Sequence, residues 1–222
     1  GWFNDRLFID LFFLWDMTFL LAICAATRYK IAIQLNSKSG PEILRALLHH
    51  WIKYFGPPKM LISDQEGGLT SDLTSTTCER YGIQRVLAGS AVKGVHTMTG
   101  LPERHVSLIK RTALATWDTV ARQGLADISK EDVVAESAMV QNALLEYGGY
   151  SPAQCVLGSN PRGLFEFEAD GVTSYDGSID TSPDVFEQHL RLRLIAREHT
   201  MKAVAEDRIA QANRARPQKV DI

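Results

Sequence analysis

The sequence predicts an α/β fold: a five-stranded mixed sheet, made of an antiparallel meander plus two parallel strands, flanked by helices and followed by a C-terminal helical extension. Three observations predict this fold. Three apolar runs near the start are joined by connections too short for a crossover. Two further short apolar runs each follow a stretch with helical periodicity. After residue 100, apolar residues recur at helical spacing in several long segments.

The first three strands are predicted from runs rich in Phe, Ile and Leu that polar residues interrupt at strand length. The first two runs together are apolar enough to resemble a membrane span, but Asp10 and Asp16 interrupt them. Each acid would cost roughly 2.5–3.5 kcal/mol near the centre of a bilayer, so two buried strands with a turn near Asp16 fit better. We therefore expect no membrane partner. The three strands cover residues 6–13, 18–25 and 30–35.

A helix and a fourth strand come next. Ser39 and Glu42 have the spacing of a capping box, in which Ser is the N-cap and Glu is residue N3. Apolar residues on one face continue this helix to Phe55, and Gly56-Pro57-Pro58 ends it. Residues 59–63 form the fourth strand, and Asp64 directly follows it. In open α/β sheets the carboxyl ends of strands are where sites gather.

The remaining elements complete a recognisable order. A Gly-rich turn leads to a helix and a fifth strand, after which residues 88–100 lack any apolar period and predict a mobile loop. Glu103 then opens a long helix. Strands and helices in the order β-β-β-α-β-α-β-α, with acids on strands one and four and on a later helix, describe a ribonuclease H-like architecture. The helices are predicted at residues 71–81, 103–122 and 130–147, and the fifth strand at 83–87.

Charge divides the 222-residue chain unevenly. Its net charge of −2 is not that of a compact DNA-binding module. Residues 163–189 hold seven acids and no Lys or Arg, whereas residues 191–219 hold eight bases against three acids. We therefore expect a core over 1–162, an acidic linker or insertion over 163–189, and a basic helical extension over 190–222. Nucleic-acid contacts outside the cleft are expected toward the C-terminus.

The three cysteines indicate an intracellular, reducing environment. Cys24, Cys78 and Cys155 are scattered, odd in number and lack any C-x-x-C spacing. A disulfide framework and a zinc site within this chain are both disfavoured. The sequence starts without Met and has neither a basic n-region nor a signal cleavage site, so we expect a piece of a longer protein without a signal peptide.

Three acids are the candidate catalytic residues. Asp10 lies inside an apolar strand, where a carboxylate is costly unless it is paired or bound to metal. Taken singly, Asp10 also fits a strand-edge acid facing water, Asp64 a turn residue, and Glu103 an acid stabilised at a helix N-terminus. Three carboxylates in one cleft repel each other unless a cation holds them ionised, and Mg²⁺ is the hard cation suited to them. Together they predict metal-assisted phosphoryl transfer, with Lys110 two helical turns beyond Glu103 and able to hold a phosphate.

At this point the motifs become recognisable. The chain resembles the catalytic core of retroviral-type integrases, in particular those of long-terminal-repeat retrotransposons. The resemblance covers residues 5–162, and the basic tail more weakly resembles the helix that leads toward a C-terminal domain in that family. The matching pieces are Phe8-Ile9-Asp10-Leu11, Ala26-Thr27-Arg28-Tyr29, Phe55-Gly56-Pro57-Pro58 before Leu61-Ile62-Ser63-Asp64, Tyr81-Gly82-Ile83, His96 to His105, Gly149 to Gln154 and Leu157 to Arg162.

The resemblance implies a function. The family's D, D, E triad falls on Asp10, Asp64 and Glu103, which would bind two Mg²⁺ or Mn²⁺ ions about 3.5–4 Å apart. It implies a polynucleotidyl transferase and endonuclease, part of a retrotransposon polyprotein, that trims DNA 3′ ends and joins them to target DNA. The implied partners are element-end DNA, target DNA and further copies of the chain, in a cytoplasmic particle and then in the nucleus. The DNA-contact candidates are Lys93, His96, Arg104 and Lys110.

Two alternatives remain open. Many relatives have Asn-Gly after the second Asp, whereas this chain has Gln65-Glu66, and Cys24 replaces an Asp that is common before the Thr-Arg pair. These departures motivate a catalytically inactive, integrase-derived module for DNA binding or assembly. The other alternative is a different nuclease of the same fold, such as a ribonuclease H or a transposase. Ribonuclease H normally uses a fourth carboxylate and a shorter chain, and the Ser151-Pro152 element and basic tail speak against it.

Overall fold

A computed structural model describes residues 1–64, 72–87, 100–161 and 185–214 of the chain. The Gly-rich turn at Gly67-Gly68, the loop expected over 88–100 except its last residue, and most of the acidic stretch over 163–189 lie outside these ranges. The expected boundaries of the three regions therefore stay predictions.

The sheet has the predicted mixed topology. Its strand order is β3-β2-β1-β4-β5, with β1, β2 and β3 antiparallel and with β4 parallel to both β1 and β5. Trp15 and Asp16 join β1 to β2 with positive φ angles of 51° and 60°, as the tightest hairpin turns require. The first two apolar runs are thus a hairpin. The strands are β1 Arg6–Leu14, β2 Met17–Cys24, β3 Lys30–Leu35, β4 Met60–Ser63 and β5 Gln84–Leu87.

The helices follow the predicted order with shifted ends. The helix after β3 contains one π-helical stretch, Leu48–Ile52, between α1 and α2. The fifth helix ends at Leu144, three residues before its predicted end, and the last helix begins five residues earlier than predicted. The helices are α1 Gly40–Leu47, α2 Lys53–Phe55, α3 Asp72–Arg80, α4 Gly100–Gln123, α5 Lys130–Leu144, α6 Pro152–Leu157 and α7 Val185–Arg214.

Two hydrophobic cores lie on opposite faces of the sheet because side chains of β1 alternate between them. Phe8 and Phe12 pack with buried residues of α4, α5 and α7, including Ile109. Ile9 and its neighbours on the other face pack with α1 and with the fully buried Trp51. Three layers result, and the acid at position 10 belongs to the face that α4 covers.

The predicted capping box at Ser39 is wrong. Ser39 is the N-cap of α1, but its side chain caps no backbone N–H and instead contacts the hydroxyl of Ser37 at 2.9 Å. Glu42 accepts hydrogen bonds from the backbone and side chain of Asn36. Its carboxylate therefore ties the end of β3 to α1. Complete capping boxes do begin α5, at Ser129, and α6, at Ser151.

Two further expectations concern the cysteines and a membrane-spanning segment. Cys24 and Cys78 are buried, Cys155 is exposed, and all three are free thiols. Within the described ranges, none of the helices combines the length and the apolar character needed to cross a membrane.

Candidate active site

Asp10 lies in β1, and Asp64 directly follows the neighbouring strand β4. β1 and β4 are parallel, and the last residue pair of their register is Phe8 with Ile62. Both acids come two residues after that pair, and the same register, continued by two residues, would set Asp10 opposite Asp64. Neighbouring strands are about 4.8 Å apart. The parallel pairing of β1 with β4 therefore brings two half-buried acids to neighbouring parts of the sheet from positions that are far apart in the sequence.

Both acids project toward the face of the sheet that α4 covers. Side chains two residues apart on a strand share a face. Phe8 and Ile62, which set the register, are buried in the core that includes Val106 and Ile109 of α4. The acids thus lie at the edge of this core, next to the helix that carries the third candidate.

Glu103 lies in the first turn of α4, with an exposed side chain. Two contacts fix how α4 runs along β1: Lys110 Nζ lies 6.0 Å from the ring centroid of Phe12, and the rings of Trp117 and Trp15 are 5.9 Å apart. Seven helical residues rise about 10.5 Å, nearly the length of three strand residues. Glu103 comes seven residues before Lys110 on α4. The same relation between helix and strand therefore puts Glu103 level with the part of β1 around Asp10.

The level of Glu103 along α4 does not by itself bring its carboxylate close to those of Asp10 and Asp64. Among the residues that the structure describes, no group of three His, Cys, Asp or Glu side chains is placed to hold a metal ion. Asp10 and Asp64 fit a hard cation by donor type and by register. Glu103 fits by its level along α4, but its carboxylate is not gathered with the other two. The assignment of the triad stays a prediction.

The DNA-contact candidates divide into two groups. Lys93 and His96 lie outside the described residues. Arg104 is exposed in the first turn of α4, and Lys110 is half-buried over the Phe12 ring, where a cation is attracted by the aromatic face. Lys110 therefore faces β1 from α4, and its spacing of seven residues from Glu103 puts these two residues on one face of the helix.

Sequence reasoning missed a buried base beside this site. Lys30 is fully buried, and burial lowers the pKa of its amine from 10.5 to about 7. His105 on α4 is also buried. Its burial, together with the positive charges of Lys30, Arg28 and Arg104, lowers its pKa to about 3. The alternating polar and apolar residues of β3 gave no signal of this burial, because alternation is equally typical of a strand with one face in water.

Comparisons with known proteins support the fold. No family model matches the chain, and no curated protein matches it. Among solved structures, the HTLV-2 integrase catalytic core domain, described in complex with magnesium and in a trimeric form, matches with a TM-score of 0.53 and 15% sequence identity. The match covers 68% of this chain and 95% of that chain. The chain therefore has the ribonuclease H-like fold of an integrase catalytic core.

Proposed function

We propose that this chain is the catalytic domain of an integrase from a long-terminal-repeat retrotransposon polyprotein, which trims DNA 3′ ends and joins them to target DNA. The observation that supports the proposal is the parallel pairing of β1 with β4, whose last pair, Phe8 with Ile62, comes two residues before Asp10 and Asp64. The contacts of Lys110 and Trp117 with β1 further support a position of Glu103 near the same level. This arrangement occurs in a fold similar to that of the HTLV-2 integrase core. The sequence motifs around the three acids resemble those of retroviral-type integrases, and this resemblance supports the choice of family.

Each candidate residue would have a distinct role in such a reaction. Asp10 and Asp64 would hold the first divalent cation, and Glu103 would complete the binding of a second. Two bound Mg²⁺ ions would activate the attacking oxygen and stabilise the leaving one. Lys110, on the same face of α4, would hold a phosphate of the DNA strand. Positioning and charge neutralisation do most of the work in phosphoryl transfer, so the rigid β1–β4 register is the main contribution of the fold.

The direct test measures nicking and strand joining on labelled element-end DNA with Mg²⁺ or Mn²⁺. We expect activity with the wild-type protein and a loss of at least about 100-fold for Asp64→Asn, because a neutral amide binds a divalent cation much more weakly than a charged carboxylate does. Asp16→Asn is the matched control. Asp16 is exposed in the hairpin turn with φ of 60°, a conformation that Asn tolerates, so this variant should keep full activity. Equal activity of wild type and Asp64→Asn would refute the triad.

The second candidate function is a catalytically inactive module for DNA binding or assembly. One observation favours it: the described residues contain no three-membered group able to hold a metal ion. Calorimetric titration with Mn²⁺ separates the two candidates. Binding that is lost in Asp10→Asn supports the enzyme, whereas DNA binding by a folded protein that takes up no Mn²⁺ supports the inactive module.

Partners and location follow from the same proposal. The HTLV-2 integrase core is described in a trimeric form, and we propose that this chain also forms homo-oligomers. Its DNA partners would be the element ends and the target. It would act in the nucleus after transport in a cytoplasmic particle. Light scattering of the purified chain over a range of concentrations tests the proposed homo-oligomer. A protein that is monomeric at every concentration would contradict it.

A further inference from the structure

Basic side chains from two separate segments converge beside the first turns of α4. Arg28 comes from the turn between β2 and β3, Lys30 begins β3, and Arg104 and His105 lie on α4. The charges of Lys30, Arg28 and Arg104 all act on the His105 ring, and those of Arg28 and Arg104 also act on the Tyr147 hydroxyl. The rings of His105 and Tyr147 are 6.4 Å apart. We call these five residues the basic pocket.

The floor of the basic pocket contains polar atoms without partners. Lys30 is opposite Ile23 of β2, whose side chain belongs to the core under α4, so the Lys30 side chain points to the same face. Its Nζ is buried and has no hydrogen-bond partner within the described residues, and the same holds for Nδ1 of His105. Buried polar groups in folded proteins are normally paired, so two orphaned atoms in one place are unusual.

The basic side chains of the pocket have no acidic ion-pair partner in the part of the chain that the structure describes. Among the described residues, no carboxylate forms an ion pair with Arg28, Lys30 or Arg104. The Arg28 guanidinium donates a hydrogen bond to the backbone carbonyl of Ala25, at 2.6 Å. Converging positive charges that are partly removed from water destabilise each other, and an oxyanion bound among them would relieve that repulsion.

The upper part of the pocket is accessible from solvent. Arg104 is exposed, Arg28 is half-buried, and 40% of the Tyr147 surface remains exposed. Arg104 and Tyr147 also line a groove of about 330 Å³ between α4 and α7, to which α7 contributes Arg208. Glu146 lines this groove as well, and Arg111 and Asp207 neutralise each other within it. A phosphate can therefore reach the guanidinium groups of Arg28 and Arg104 and the Tyr147 hydroxyl from solvent. The buried Lys30 amine lies deeper in the pocket.

The pocket and the candidate acids share one side of the sheet. Lys30, Ile23 and Phe8 are at one level across β3, β2 and β1, and Asp10 is two residues further along β1. Two strand spacings amount to about 10 Å. The basic pocket is thus a near neighbour of the candidate active site and distinct from it, since it lies across β2 from Asp10 rather than on the β4 side.

We propose that the basic pocket binds a phosphate group of a DNA backbone, with Arg28, Arg104 and the Tyr147 hydroxyl in contact with the oxyanion and with Lys30 and His105 beneath it. The proposal deepens the proposed function, on which the choice of DNA rests. Guanidinium groups provide the paired donors that phosphate oxygens accept. Free inorganic phosphate offers the same chemistry, and the experiment distinguishes these two sources.

The experiment compares Arg104→Ala with wild type, using fluorescence anisotropy of a labelled duplex over a series of salt concentrations without divalent metal. We expect several-fold weaker DNA binding and a log–log salt slope reduced by about 0.9, the value for one lost phosphate contact. Arg122→Ala is the matched control. It removes an exposed arginine from the other end of the same helix and should leave affinity and slope unchanged. Arg28→Ala, checked for folding by its melting curve, should reproduce the effect of Arg104→Ala.

A second measurement distinguishes binding of a DNA phosphate from binding of free inorganic phosphate. Thermal melting in sodium phosphate, against sodium chloride of equal ionic strength, reports inorganic phosphate in the pocket. Loss of DNA affinity in both pocket variants supports the proposal. Unchanged DNA affinity and slope overturn it, and if a stabilisation by phosphate is nevertheless lost in the variants, the pocket binds free phosphate instead. Asp64→Asn keeps the pocket intact, so failure of strand joining and failure of this phosphate contact are observed separately.

Discussion

The side chain of Asn142 forms hydrogen bonds with both backbone groups of Lys30, which is 112 residues away in the chain. Its Oδ1 accepts from the Lys30 N–H at 3.0 Å, and its Nδ2 donates to the Lys30 carbonyl at 2.7 Å. β3 is an edge strand, and the outer side of an edge strand presents unpaired backbone groups. At Lys30 a helix side chain therefore takes the place of a further strand.

Replacing Asn142 should destabilise the fold. Asn142→Ala removes two hydrogen bonds and leaves the buried N–H and C=O of Lys30 unpaired, which costs about 2–4 kcal/mol in the free energy of unfolding. Urea denaturation measures the change. Asn36→Ala is the control, because Asn36 also bonds through its side chain, to Glu42, but in an exposed position. A loss below about 0.5 kcal/mol for Asn142→Ala would show that the two bonds contribute little.

The buried Lys30 should make stability rise with pH. Its pKa is about 7 in the fold against 10.5 for an ordinary lysine, so between these values the unfolded chain holds a proton that the folded chain has released. Stability then increases with pH across this window. From pH 7 to 9.5 the gain is on the order of 3 kcal/mol, at about 1.4 kcal/mol per pH unit. The pKa of His105, lowered to about 3, keeps that ring neutral in this range, and burial raises the pKa of Tyr147 above its ordinary value of 10, so the rise in stability is assigned to Lys30.

Lys30→Met tests this directly in a phosphate-free buffer. The variant removes the buried amine, so its free energy of unfolding should be higher than that of wild type at pH 7 and should lack the rise toward pH 9.5. Lys53→Met replaces an exposed lysine of α2 and should retain the wild-type pH profile. Parallel pH profiles for wild type and Lys30→Met would contradict the prediction.

The ion pair between α4 and α7 should control local rather than global stability. Arg111 donates two hydrogen bonds to Asp207, at 2.9 and 2.8 Å, but both side chains are about half exposed. Asp207→Asn should therefore cost less than about 1 kcal/mol in the free energy of unfolding. Most residues of α7 after Ala203 are exposed, so amide hydrogen exchange there should accelerate clearly.

The control for this ion pair is Asp118→Asn, which removes a more exposed pair with Arg122 and should leave exchange in α7 unchanged. The hydrogen bond from Arg111 lowers the pKa of Asp207, so the contribution of the pair is present above the ordinary range of an aspartate and is lost as the pH falls through the lowered value. Unchanged exchange in Asp207→Asn would show that packing alone holds the end of α7.

A divalent cation should stabilise the folded chain through the acids. A ligand that binds only the native state raises its stability by mass action, so Mn²⁺ should raise the melting temperature of wild type. The rise should disappear in Asp10→Asn and shrink in Glu103→Gln. Glu131→Gln is the control for the latter, because Glu131 is also an exposed acid in the first turn of a helix, here α5. An equal rise in all variants would place the bound cation elsewhere.

The strands and their order were predictable from the sequence because the two faces of the sheet are both buried. Residues 7 to 12 are nearly all apolar, and such runs with short connections leave few topologies. The level position of Asp10 and Asp64 was not predictable in detail, since register depends on which residues of β1 and β4 pair. The spacing of Glu103 from Lys110 did indicate their shared face, because helical periodicity is local.

Other features needed the tertiary structure. The spacing of Ser39 and Glu42 matched a capping box, but Asn36 provides two competing donors for the Glu42 carboxylate. The polar residues of β3 alternate as if facing water, and α5 covers them at Lys30 through Asn142. Packing between distant segments decided both outcomes, and no local pattern contains that information.

The pairing of Phe8 with Ile62 has a consequence for insertions and deletions within β4. Side chains alternate across a strand, so a single codon gained or lost between Met60 and Asp64 would turn the Asp64 carboxylate toward the α1 side of the sheet. The rest of the chain could still fold around its two apolar layers. Such a variant would remain well folded, but Asp64 would no longer project to the same face of the sheet as Asp10.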